Sequence, residues 1–174
     1  MKIESIMWLL PIFFMIHDFE EIIFAKLWVE KNSNYIKEKV PKLALNIISH
    51  LEKLSTASFA LAVAEEFILL AIIVFCSVQF EWYSFFAAIL IGYLLHVIMH
   101  FAQGILLKKF IPTIITGIIS AIYGIYALSY LNNLDLLNWK YIAILTPVIV
   151  LFIIFNAIFA HFLAKHLNIM LERK

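Results

Sequence analysis

The stretch LSTASFALAVAEEFILLAIIVFCSV, residues 54–78, decides the fold. It is long enough to cross a hydrocarbon core, which takes about 20 residues of helix rising roughly 1.5 Å each. Its only charges are the adjacent glutamates Glu65 and Glu66, at its centre. Similar apolar blocks fill residues 5–29, 83–107, 111–131 and 141–165. The whole chain follows suit: 64% of its 174 residues are hydrophobic and 14% charged, with a mean hydropathy of +0.98, unlike a soluble domain. The period-two alternation of a membrane barrel is absent, and a spanning segment must satisfy its own backbone hydrogen bonds. The expected fold is all-α: a polytopic membrane bundle of five transmembrane helices in a single domain over residues 1–174, multi-pass in the cell membrane.

The connections are tight except the first, about residues 30–53, which carries Pro41 among Lys37, Glu38, Lys39 and Lys42. A short interfacial helix is expected there over 42–53. The N-terminal apolar stretch, residues 6–16, looks like the core of a secretory signal, but His17-Asp18-Phe19-Glu20-Glu21 follows it in place of a small-residue cleavage site. The single cysteine, Cys76, lies in an apolar run. One chain therefore builds neither a disulfide framework nor a thiolate metal site, and Cys76 reads as a packing residue.

Positively charged loops stay cytoplasmic, and the lysines are one-sided. Lys26, Lys31, Lys37, Lys39, Lys42 and Lys53 flank the first connection, Lys108 and Lys109 the third, and Lys165, Arg173 and Lys174 the tail; the other side holds Lys2 and Lys140. Five spans with the N-terminus outside and the C-terminus cytoplasmic put all three basic regions on one face. Trp8, Trp82, Tyr83, Trp139 and Tyr141 then fall near the outer interface, where amphipathic rings anchor. Most of the 16 phenylalanines face lipid or fill gaps between helices.

With the helices placed, ionisable residues collect at one depth. His17, Glu20 and Glu21 lie from the middle to the inner half of the first helix, Glu65 and Glu66 at the centre of the second, and His96, His100 and Gln103 from the middle of the third inward. At about 100° per residue, His17, Glu20 and Glu21 share one arc, as do His96, His100 and Gln103. Glu65 and Glu66 diverge by the same angle, so only one of them is expected at the focus. Asp18 leaves the first arc toward a neighbouring helix or water. On the fifth helix Asn156 and His161 stand about 140° apart, so at most one is expected to face the site. His50 and His166 read as solvated or interfacial.

A charge at the bilayer centre costs about 2.5–3.5 kcal/mol on insertion scales, and no lysine or arginine lies at that depth to pair with these acids. Protonation, hydrogen bonds to histidine, a watery cavity or a bound cation must neutralise them. A network that only holds helices together is the plainer alternative, but packing seldom needs so many acids.

These residues also carry a resemblance. His17-Asp18-Phe19-Glu20-Glu21 resembles the motif of the HXXEE family of bacterial membrane proteins, and Ala62-Val63-Ala64-Glu65-Glu66-Phe67 looks like the acidic second-helix segment of some members. His100, followed by Lys108-Lys109-Phe110-Ile111-Pro112 and Thr116, is similar to the family's third-helix histidine and the basic-aromatic-X-Pro connection after it. Many members have glycine after that proline and asparagine where His96 stands; Thr113 and His96 occupy those places here. The resemblance supports a site and names no reaction.

Histidine nitrogen with carboxylate oxygen suits zinc, iron or manganese, and two histidines a turn apart can hold one ion. One or two divalent cations would also offset the buried negative charge. The leading expectation is a membrane-embedded, metal-dependent, hydrolase-like enzyme acting on a lipid or apolar substrate. In it His17, Glu21, His96 and His100 bind the metal, and Glu20 or Glu65 is the base for a metal-bound water. Neither the His-Glu-X-X-His nor the Glu-X-X-His metal motif is present.

Two alternatives stand beside it. One is a metal-free isomerase that shuttles a proton across a lipid double bond, by analogy with five-helix sterol isomerases. The other is a proton or cation transporter, in which a homo-oligomer can supply the second half that a chain without a repeat lacks. Membrane lipids are the expected partners of the basic connection. No nucleotide loop, Ser-His-Asp arrangement or nucleic-acid module is found.

Overall fold

The computed structural model describes residues 2–39, 45 and 54–172. They form five helices: α1, Ile3–Lys39; α2, Thr56–Gln79; α3, Tyr83–Leu107; α4, Ile114–Asn133; and α5, Trp139–Glu172. Among the described residues there is no strand. Of the helix expected over 42–53 only Leu45 is among them, and it is helical; the rest, with His50, lies outside the described residues.

The helices α2, α3, α4 and the first part of α5, Trp139–Ala164, are long and apolar enough to cross a membrane. In α1, Asp18, Glu20 and Glu21 crowd four positions, and no stretch of it of spanning length is as free of charge. Around the bundle the packing runs α1, α2, α5, α3, α4 and back to α1, and α3 also touches α1 and α2. Thus α3 reaches every other helix, and it buries the largest share of its apolar window. Small residues on α3 and on α4 permit this. A Cβ on Gly124 of α4 would meet Leu94 Cδ2 at 2.6 Å, and one on Gly92 would meet Ile153 Cδ1 of α5 at 2.9 Å.

The core below these contacts is apolar, with Ile6, Met7, Leu10, Phe86 and Leu90 fully buried. Large apolar side chains such as Ile72, Phe75, Leu151 and Phe155 face outward from α2 and α5. In water an exposed apolar face of that extent would be a liability; in a bilayer it is the solvated face.

The ends differ from expectation at two places. The first connection was placed from Glu30, yet α1 continues to Lys39, and α5 continues past residue 165 to Glu172. The extra turns of α1 are held by the connection between α3 and α4. Trp28 Nε1 donates to the Phe110 carbonyl at 2.9 Å, and Tyr35 Oη to the Leu107 carbonyl at 2.8 Å. Lys109 Nζ donates to Asn32 Oδ1 at 2.6 Å and stands 4.6 Å from the centre of the Tyr35 ring. These contacts fix the entry to α4, and α4 completes the site.

Candidate functional site

Two histidines four residues apart on a helix project side by side, and His96 and His100 of α3 do so, Nε2 to Nε2 at 3.0 Å. Across from them α1 presents His17, its ring centroid 5.7 Å from that of His96 and 5.3 Å from that of His100. Each of the three offers a ring nitrogen, and these lie within 4.8 Å of one another. Tyr93 packs edge-on to His17 at 6.1 Å, with its hydroxyl donating to Ser120 Oγ at 2.8 Å. His17 is fully buried, His100 is 9% exposed, and His96 is the exposed member.

The tautomer of His17 follows from its neighbours. Thr116 Oγ1 donates to Glu20 Oε2 at 2.6 Å. A hydroxyl has one proton to give, so at 3.1 Å from His17 Nδ1 it must accept. Nδ1 therefore carries the hydrogen, and Nε2 keeps a lone pair. Nε2 is buried and has no hydrogen-bond partner in the structure. A buried acceptor left over in this way calls for a ligand, and a ring N–H held by a second polar group is how metal-binding histidines are oriented.

The placement of Thr116 in the first turn of α4 explains Glu20. Residues at a helix start have backbone N–H groups without partners, and a side chain at the N-cap usually serves them. Thr113, the N-cap of α4, has φ 93° and makes no side-chain cap bond. The Glu20 carboxylate reaches over from α1 instead and accepts from Thr116 N at 3.1 Å, where the helix dipole favours an anion. Glu20 is thus engaged in capping α4 and orienting His17. Glu65 is engaged too, accepting from Asn156 Nδ2 at 3.1 Å.

Glu21, expected beside the histidines as a ligand, stands outside the close set of nitrogens and lines two cavities. One, of about 130 Å³, adjoins His100, Gln103 and Trp28. The other, of about 200 Å³, adjoins His96, Asp18 and Glu66. Asp18, expected to turn away, is 4% exposed, and its Oδ2 is without a hydrogen-bond partner. Of the adjacent glutamates, Glu66 reaches the cavity. Asn156 and His161 both line it, where the helical wheel allowed one.

Sequence reading assigned Thr116 no role in the site. Its only sequence signal was its place after the basic-aromatic-X-Pro connection. Against known proteins, the family described as "Protein of unknown function with HXXEE motif" matches residues 8–127, a span that includes the three histidines and Thr116. No curated protein and no solved structure matches the chain.

Proposed function

The chain belongs to the HXXEE family, and from that premise we propose that it is a metal-dependent enzyme of the cell membrane, hydrolase-like, acting on a lipid or another apolar substrate. In this reading α1 is the fifth span, and His17, His96 and His100 hold one divalent ion, zinc, iron or manganese. The observation that carries it is His17 Nε2, a buried lone pair with no partner whose orientation Thr116 and Glu20 enforce. Zinc–nitrogen bonds of about 2.0–2.1 Å in tetrahedral array would put ligand nitrogens roughly 3.3 Å apart, against 3.0 Å between His96 and His100 and at most 4.8 Å across the set. Three protein ligands leave a fourth position for water or substrate, the pattern of catalytic sites. The ion would supply a nucleophilic hydroxide near neutral pH.

The base changes from the one expected. Glu20 and Glu65 have other partners, whereas Glu21 lines both cavities beside the histidines; we assign the proton transfer to Glu21. That same double exposure favours a second reading, a proton or cation path through Glu21, which would register as flux in sealed vesicles.

Elemental analysis of the purified chain tests the metal. About one ion per chain is expected, lost in His17→Ala and His100→Ala and kept in Glu65→Gln. A folded wild-type chain that takes up no stoichiometric zinc, iron or manganese on reconstitution would overturn the proposal.

A further inference from the structure

The larger cavity carries more acid than the metal reading uses. Asp18, Glu21 and Glu66 reach it from α1 and α2, and no lysine or arginine is among the residues lining it. Asp18 is 96% buried by the complement of its 4% exposure, and its Oδ2 meets no donor. A buried carboxyl oxygen left over in this way favours a cationic or hydrogen-donating ligand. Apart from the polar His96, Asn156 and His161, the rest of the wall is apolar and aromatic, including Phe14, Phe59, Tyr93 and Phe152. Phe152 is 48% exposed, so the wall continues to the outer, lipid-facing surface of α5.

We propose that this cavity binds the ammonium head of an amine-bearing amphiphile, with its hydrocarbon chain leaving past Phe152. The proposal deepens the enzyme reading by naming its substrate class, and it rests on that reading only for what happens after binding. Three features favour an organic ammonium over a metal ion. Among the described residues the close-set ligand group is the three histidines, and these acids do not join it. The space, about 200 Å³, far exceeds the ~10–15 Å³ that a single water needs on a comparable measure. Aromatic faces attract an ammonium group by cation–π contact and accept its alkyl substituents, whereas a small hard cation wants oxygen ligands throughout. His96 lies on the same wall, so an ammonium held by Asp18 and Glu66 sets the atoms next to it at the histidine cluster.

Binding of radiolabelled tetradecylamine to the full chain in dodecyl maltoside tests this, with tetradecanol and tetradecyl sulfate as chain-matched controls. The amine is expected to bind at least about tenfold more tightly than either, as one charge-assisted contact would give. The double variant Asp18→Asn, Glu66→Gln should abolish that preference. Ala157→Leu keeps every acid but fills the cavity, and should abolish it as well, so the test survives a double variant that fails to fold. Equal binding of amine and alcohol, a preference that persists in either variant, or displacement of the amine by magnesium or manganese alone would overturn the proposal. His17→Ala separates the two readings: it should lose the metal and keep the amine. Amine binding by a chain that takes no metal would sink the enzyme reading alone, and metal without amine preference would sink this one alone.

Discussion

Thr116 has one hydroxyl proton, and Glu20 takes it, which forces His17 to donate from Nδ1 and to expose a lone pair at Nε2. Valine at 116 keeps the shape and removes both bonds, so the imidazole loses the partner that fixes its tautomer. Thr116→Val should therefore weaken metal retention by about 10–100-fold, the usual cost of losing such a supporting contact, while Thr116→Ser stays near wild type. Competition with a chelator of known affinity measures this, and an unchanged value in the valine variant would show that Thr116 does not orient the ligand. The histidines were legible in the sequence because helical period and depth are local properties: His96 and His100 are one turn apart, and His17 sits at their level. The partner of Glu20 was not, because Thr116 lies 96 residues away and no spacing rule connects the two. Glu20 looked like a free base for that reason alone.

At the scale of the elements, hydropathy placed the apolar helices well because a spanning helix is written in one continuous block. It failed at the end of α1, where polar residues stay helical and Trp28, Asn32 and Tyr35 bind the distant connection between α3 and α4. That connection also carries strain. Thr113 has φ 93°, in the left-handed region where a β-branched residue is an outlier and glycine is at ease. Its hydroxyl is buried without a hydrogen-bond partner. The sequence resemblance noted glycine at this place in many family members, and the backbone supplies the physical reason. Thr113→Gly removes a left-handed penalty of about 1–2 kcal/mol and an unsatisfied hydroxyl worth about 1–3 kcal/mol. Against these stand the lost contacts of two buried carbons, Cβ and Cγ2, about 1.6 kcal/mol at roughly 0.8 each, and glycine's greater unfolded-state freedom, about 0.5–1 kcal/mol. The net expectation is a gain of roughly 1 kcal/mol, read as a higher midpoint of unfolding in detergent. A lower midpoint would mean that the threonine side chain contributes more packing than its strain costs.

For the whole molecule, the contacts bear on how the chain lies in the membrane. The bonds from Trp28, Asn32 and Tyr35 to residues 107–110 bring the lysines at the end of α1 and those of the α3–α4 connection to one end of the bundle. Counting charges along the sequence requires the same grouping, and basic loops are retained on the cytoplasmic side. The smaller cavity, bounded by Lys26, Trp28 and His100, opens the site toward that end. Water and protons should then reach the histidines from the cytoplasm, while an apolar substrate enters sideways past α5. Single cysteines in a Cys76→Ser background test the orientation, since Cys76 is the chain's one cysteine. In sealed cells, Asn133→Cys at the end of α4 should react with an impermeant thiol reagent, and Lys108→Cys should react only after the membrane is opened. The reverse pattern would place the basic end outside, make the smaller cavity an external port, and assign the charge asymmetry to lipid contact instead of topology.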